Sequence, residues 1–219
     1  MYLSMYPDNC GEGAILPKAE EAAGFDRLPL DGLSRQQRYK LLTGSVVPRP
    51  IAFVTTLNDN GSINAAPFSQ FIIIAVDPGL LGFSVGPIPG RDKDTLINVR
   101  RTGEFVINTV TEELAAIVQF CADHNVPGES ELQLSGLTLL PSEFVTSPRV
   151  AESPIQFECR LERIVEFGDG PNSLVVGRVI LMHARSGIIH DHKVDAGLCR
   201  MLGRIGGRTY CRVREFIKA

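Results

Sequence analysis

The apolar positions of this chain change period several times. From Ile51 to Leu57 β-branched and aromatic residues run together, and after Asn58-Asp59-Asn60-Gly61-Ser62 the chain continues as Ile63-Asn64-Ala65-Ala66-Pro67-Phe68. The first run reads as a strand. Asn60-Gly61 tolerates positive φ, so the chain doubles back as a hairpin. Phe71 to Val76 and Leu80 to Val85 predict two more strands around the turn Asp77-Pro78-Gly79, and Phe105 to Val110 a further one. Phe157, Cys159, Leu161 and Val165 alternate with Glu158, Arg160 and Glu162, the pattern of a strand with one wet face. Gly168 to Asn172 turns that strand, Leu174 to Ala184 returns, and Gly203-Arg204-Ile205-Gly206-Gly207 leads to a last strand from Tyr210 to Arg214.

Helical periodicity is rarer. Ser34 caps a short helix through about Leu42. A loop of proline and glycine, Gly86 to Gly90, runs into a helix start at which Asp92 or Asp94 is the expected N-cap and Gly103 the stop. Thr111 is expected to cap an amphipathic helix with Glu112 and Glu113 in its first turn. Its Leu114, Ile117, Val118 and Cys121 fall at i, i+3, i+4 and i+7. Residues 122–154, with Pro127, Gly128 and Pro141, read as loop and short strand, and residues 187–198 as loop. Residues 1–40 read as an arm or irregular lead-in and 41–219 as one domain. The fold class is mainly β: an antiparallel β-barrel with helical insertions.

The formal charge of −3 argues against a nucleic-acid protein, whose binding rests on neutralising phosphates. That charge is uneven: six acids and two bases lie in residues 1–33, six bases and one acid in residues 200–219. Five cysteines with no C-x-x-C spacing fit free thiols in a reducing compartment. The longest apolar run, Phe71 to Val76, suits a buried strand rather than a membrane span. The N-terminus lacks the basic and apolar regions of a signal peptide, so a cytoplasmic setting is expected.

Several groups are candidates for chemistry. Asn64, Ala65, Ala66 and Ser69 are small or polar. They either let a flat ligand approach the backbone or form an edge strand broken by Pro67. Arg91-Asp92-Lys93-Asp94-Thr95 at a helix start supplies amides, cations and a hydroxyl to a phosphate; spacing alone favours an ordinary charged loop. His190-Asp191-His192 would place two histidines on one face if extended, but lacks a third metal ligand. His183, in an apolar strand, reads as a core or interface residue, and Cys121 as a buried thiol. Ser69 and Ser84 show no His-Asp arrangement. No G-x-G-x-x-G or P-loop pattern occurs.

Four segments in order resemble the flavin reductase-like, FMN-binding split-barrel family. They are Pro48 to Thr56, Asn64 to Ser69, Lys93-Asp94-Thr95-Leu96-Ile97-Asn98 and Gly103 to Asn108; the ending Gly203 to Gly207 with Tyr210 is similar too. The likeness covers about Ser45 to Val213. It implies a homodimeric split barrel with FMN at the interface. By position, Arg49, Thr55 and Thr56 would lie along the ribityl phosphate end, and Asn64, Ala65, Pro67, Phe68 and Ser69 would line the isoalloxazine. Ser84, Val85 and Gly86 would close the ring edge, and Lys93 and Thr95 would hold the phosphate. Small residues such as Ala65, Ala66 and Gly86 would keep one ring face open. The resemblance implies hydride transfer from NADH or NADPH to flavin, with a monooxygenase as a possible partner. It leaves open a flavin-binding protein without reductase activity and a pyridoxamine-phosphate-oxidase-like enzyme.

Overall fold

The structure, a computed structural model, describes residues 26, 28–123, 130, 135–168 and 172–218. The chain divides into two units at residues 39 and 40, and every described strand lies in the second. The elements in chain order begin with α1 (Arg35–Ser45), β1 (Ala52–Leu57), β2 (Ile63–Phe68), β3 (Phe71–Val76) and β4 (Gly79–Val85). They continue with α2 (Asp94–Thr102), β5 (Glu104–Thr109), α3 (Ala115–Asp123), β6 (Leu139–Leu140), β7 (Arg149–Val150), β8 (Ile155–Phe167) and β9 (Asn172–Ala184). The last are β10 (Ile189–His190), β11 (Lys193–Val194), α4 (Ala196–Cys199), β12 (Leu202–Gly206) and β13 (Thr209–Arg212). No described helix is long and apolar enough to cross a membrane.

Seven strands form one antiparallel sheet in the order β2-β1-β5-β8-β9-β4-β3. Its two edges, β2 and β3, are consecutive in sequence and joined by Ser69 and Gln70 alone. Two residues span only about 10 Å, so the sheet must curl until its edges meet. The Phe68 ring of β2 and the Phe83 ring of β4 lie 4.9 Å apart across the seam. The curled sheet is therefore a barrel.

Its interior holds Val54, Phe68, Phe83, Phe105, Ile107, Cys159 and Val175, closed at one end by Leu96 and Val99 of α2. Gly177 of β9 lies against this packing: a Cβ there would sit 2.3 Å from Phe105 Cζ. Gly177→Ala is therefore expected to destabilise the fold by about 1–3 kcal/mol, read as a fall in melting temperature. An unchanged melt would mean that the Phe105 ring can move aside. β1 is buried on both faces. Phe53 and Ala65 pack outward with Leu114, Val118 and Cys121 beneath α3, so the apolar stripe expected there is the buried one.

Local expectations mostly hold at turns and stops. Ser34 opens α1 with a reciprocal capping box: its N–H donates to Gln37 Oε1 at 2.9 Å and Gln37 N–H donates to Ser34 Oγ at 3.3 Å. The helix runs three residues past Leu42, to Ser45. Gly103, at φ 68°, ends α2.

Other expectations are corrected. The N-cap of α2 is Lys93, with no side-chain cap bond, because Asp94 is paired with Arg91 and Asp92 with Arg100. α3 starts at Ala115 rather than after Thr111. Residues 111–114 form a turn in which Glu112 meets Arg200, Arg212 and Arg214, and Glu113 meets Arg200. Those ion pairs hold the acids outside the helix. Glu158 is fully buried although its alternation placed it on the wet face. The period itself holds, with Phe157, Cys159 and Leu161 on the core side; Glu158 is buried on the outer side because the Glu143 and Phe144 N–H groups close over its carboxylate.

His190 and His192 do not share an extended stretch: Asp191 (φ 47°) and His192 (φ 61°) form the turn between β10 and β11. Among the described residues no group could hold a metal. The lead-in to the last strand is itself the strand β12, paired with β13. Gly203 is needed there, since a Cβ would lie 2.8 Å from Pro48 Cβ and 2.9 Å from Cys211 Sγ. Residues 1–25, Pro127, Gly128 and 169–171 lie outside the described residues.

Candidate functional site

Two places on the barrel gather the candidate residues. The first is the N-terminus of α2. Asn64 from β2, Arg91 and Lys93 from the loop before α2, and Thr95 from its first turn line a pocket of about 60 Å³, together with Ala66, Pro67 and Cys121. A single water needs about 10–15 Å³, so the pocket suits a compact group and not a ring system. The N-cap residue of α2, Lys93, makes no side-chain cap bond, and its carbonyl accepts from the Leu96 N–H at 2.9 Å and the Ile97 N–H at 3.1 Å.

Charge in this pocket is weighted toward cations. Asp94 is neutralised by Arg91 and Asp92 by Arg100, which also reaches Glu166 at 2.9 Å. Among the described residues Lys93 has no carboxylate partner, and its ammonium sits 5.8 Å from the Phe68 ring centroid. Burial lowers the Lys93 pKa, and the neighbouring Arg91 guanidinium lowers it further. An anion placed there would relieve both effects.

Beneath the pocket lies a buried polar network. The Asn64 amide donates from Nδ2 to Thr56 Oγ1 at 3.0 Å and to Thr95 Oγ1 at 2.9 Å. Asn98 Nδ2 donates to Thr56 Oγ1 at 3.0 Å and to Asn58 Oδ1 at 2.7 Å. Sequence reading passed over Asn58 and gave Asn98 no role. The signal was there, since Asn98 follows Thr95 by three residues and so shares its helix face, a polar residue on a face that Leu96 and Val99 otherwise make apolar.

The second place is an apolar cleft of about 430 Å³ at the opposite end of β1. Leu42, Val46, Pro48, Phe71, Ile72 and Leu174 line it, with Arg49, Ser69 and Ser84 among them. Arg49 is buried. Its guanidinium donates to the carbonyls of Thr43, Val46 (2.9 Å) and Ile205 (3.1 Å), while Nε reaches Ser69 Oγ at 3.5 Å. Its backbone pairs with Arg204. No described carboxylate pairs with it, so a buried positive charge borders the cleft.

The remaining candidates distribute as follows. Arg49 precedes β1 and Thr56 lies near its far end, seven residues on and about 23 Å away when extended, so Arg49 does not share an end with Thr55 and Thr56. The Thr55 hydroxyl is fully buried and donates to the Pro148 carbonyl at 2.6 Å, tying β1 to the residues before β7. The Ala65 side chain is enclosed beneath α3, which leaves only its backbone to face a ligand; Ala66 borders the pocket instead. Phe68 and Val85 are core residues. Gly86 is half-buried beside Asn172, whose Oδ1 lies 3.6 Å from where a Cβ would be. β2 joins the two places, leading from Asn64 at the pocket to Ser69 at the cleft.

Known proteins share this arrangement of elements. Nitrilotriacetate monooxygenase component B from Bacillus cereus superposes with a TM-score of 0.85 at 35% identity, covering 89% of this chain and 98% of that one. The 2-nitrobenzoate 2-nitroreductase NbaA of Pseudomonas fluorescens does so with a TM-score of 0.80 at 36% identity, covering 89% and 95%. An uncharacterized protein of Halalkalibacterium halodurans is 39% identical over 194 residues, 86% of this chain and 93% of that protein. The barrel is a flavin reductase-like split barrel. Residues 43–195 match the flavin reductase-like domain, and the chain belongs to the flavin reductase-like family.

Proposed function

We propose that this chain is an FMN-dependent oxidoreductase of the flavin reductase type, taking hydride from NADH or NADPH. The observation that carries the reading is the pocket at the α2 N-terminus, where Arg91, Lys93 and Thr95 converge and, among the described residues, Lys93 has no carboxylate partner. Such a lining suits the terminal phosphate of FMN.

Bound flavin would supply the redox chemistry, and the chain supplies position and electrostatics. Lys93 and Thr95 hold the phosphate. β2 spans about 17 Å from Asn64 to Ser69, which lets Asn64, Ala65, Pro67, Phe68 and Ser69 run beside the flavin toward the cleft, Ala65 through its backbone. Ser84, Val85 and Gly86 close the ring edge. Arg49 places positive charge at the cleft, while Thr55 and Thr56 brace the strand from behind. No side chain is assigned proton transfer. Four described cysteines are free thiols, in keeping with a reducing, cytoplasmic setting.

The cleft also supports a homodimer. Ile72 (58% exposed) and Ile73 (67%) of β3 and Val46 (63%) beyond α1 form exposed apolar surface on and beside it. A second copy of this chain is the proposed cover. The dimer is expected by sedimentation at micromolar concentration with FMN bound; a monomer there would overturn it. The relative named as a monooxygenase component supports a monooxygenase as the downstream partner.

The test of the central reading is stopped-flow reduction of the FMN-loaded protein by 4-deuterated NADH and NADPH. A fast, isotope-sensitive reduction is expected, and it should survive replacement of His183, His190 or His192. No reduction by either donor would leave a flavin-binding protein, and oxygen-dependent turnover of a phosphorylated amine would move the assignment to an oxidase.

A further inference from the structure

We infer that Asn98 and Asn64 are positioning residues that make Thr95 a hydrogen-bond donor toward the pocket, so that the site selects a phosphate-terminated flavin over one ending in a hydroxyl. The inference rests on the phosphate reading above and adds what enforces it. Both hydrogens of the Asn64 amide are committed, one to Thr56 Oγ1 and one to Thr95 Oγ1. Thr95 therefore accepts from the protein, and among the described residues its hydroxyl donates to no protein acceptor. Its proton is left for the pocket. Were the Asn64 amide reversed, Thr95 would donate to Asn64 Oδ1 and turn its lone pairs toward the ligand, repelling a phosphate.

The rest of the network opposes that reversal. Thr56 Oγ1 accepts from both Asn64 and Asn98, so its lone pairs are filled and its own proton points away from Asn64. The second hydrogen of Asn98 is held by Asn58 Oδ1. Asn58 Nδ2 in turn donates to Ser62 Oγ at 2.9 Å, and Ser62 Oγ to Asn60 Oδ1 at 2.7 Å. Thr56, Thr95, Asn64, Asn98 and Asn58 are between 0% and 6% exposed, where reversing one member strands a polar atom away from water. Without Asn98 the Thr56 hydroxyl can turn toward Asn64, the amide can flip, and Thr95 loses its donor role. The pocket would then lose the hydroxyl donor that stands beside Lys93 and Arg91.

The experiment is a double-mutant cycle in the full chain, with FMN and riboflavin affinities read by flavin fluorescence and folding by the flavin-free thermal melt. Asn98→Ala is expected to weaken FMN about tenfold while moving riboflavin less than about twofold. In a Thr95→Ala background the same change should cost less than a further twofold or so. Equal weakening of both flavins, or losses that multiply, would overturn the positioning role. If Asn98→Ala fails to fold, Asn98→Ser takes its place in the same cycle. Thr95→Ala and Lys93→Met binding FMN as tightly as the parent would instead overturn the phosphate reading, and this inference with it. Both weakened while Asn98→Ala binds normally would remove the inference alone.

Discussion

Glu158→Ala is expected to cost about 3–5 kcal/mol of stability, the range for breaking a buried ionic arrangement from one side. The carboxylate has no exposed surface. It accepts from the Glu143 N–H at 2.9 Å and the Phe144 N–H at 2.7 Å, and lies 2.7 Å from His183 Nε2. Alanine would leave those groups without an acceptor and free residues 143–144 from β8. Glu158→Gln is expected to lose nearly as much, because its amide offers one acceptor oxygen where two backbone donors and a histidine converge.

The same carboxylate sets a pH dependence. Burial by itself would raise its pKa, but the two amides and His183 more than offset that, and the net shift is downward. A carboxyl depressed in the folded state contributes stability above its ordinary pKa and loses it as pH falls through the lowered value. The parent should therefore show a steeper acid-side decline in melting temperature than the Glu158→Ala protein, in which the lowered carboxyls of Glu112 and Glu113 remain. Parallel pH curves for the two would assign the stability of this region to something other than Glu158.

Glu158 also marks where sequence stops being legible. The hairpin of β1 and β2 follows from Asn60-Gly61, the end of α2 from Gly103, and the buried stripe of α3 from the spacing of Leu114, Val118 and Cys121, because each is decided within a few residues. The burial of Glu158 is not local. It depends on residues 143 and 144 lying over the outer face of β8, and no spacing in β8 announces that cover. The start of α3 was misread for a similar reason: Glu112 is bound by arginines 88 to 102 residues away, and that attraction overrides its preference for a helix start. Barrel closure lies between these cases. Strand pairing is non-local, yet the two-residue link between β2 and β3 leaves the sheet edges little choice once its order is known.

The candidate site divides in the same way. Family likeness brought out Lys93 and Thr95, which a reading of spacing alone would have set aside as a charged loop. It did not separate residues whose side chains face a ligand from those, such as Thr55 and Ala65, that are enclosed by the next layer. That distinction comes from β1 and β2 being covered on both faces, by the barrel interior on one side and α3 on the other. Nor did it bring out Asn58, because the turn before β2 meets α2 only in the folded barrel.

Lys93→Met is expected to change stability and flavin affinity in opposite directions. In the flavin-free protein the Lys93 ammonium is held partly out of water beside Arg91, with its pKa lowered. A base whose folded pKa lies below its unfolded value opposes folding wherever it stays charged. The penalty is full below the lowered folded pKa and vanishes above the ordinary lysine value near 10.5. Methionine keeps the apolar stem over Phe68 and removes the charge, so the flavin-free melt should rise at neutral pH and converge with the parent in alkali. FMN should reverse the order. Losing a charge-assisted bond to phosphate costs about 1.5–3 kcal/mol, roughly 10–150-fold in affinity, so with FMN at about a hundred times its parent dissociation constant the parent should melt higher than Lys93→Met. Riboflavin, which lacks the phosphate, should leave the variant the more stable of the two. Melts of both proteins alone, with FMN and with riboflavin decide it. If the two melting curves keep the same order under all three conditions, Lys93 is not what the phosphate meets.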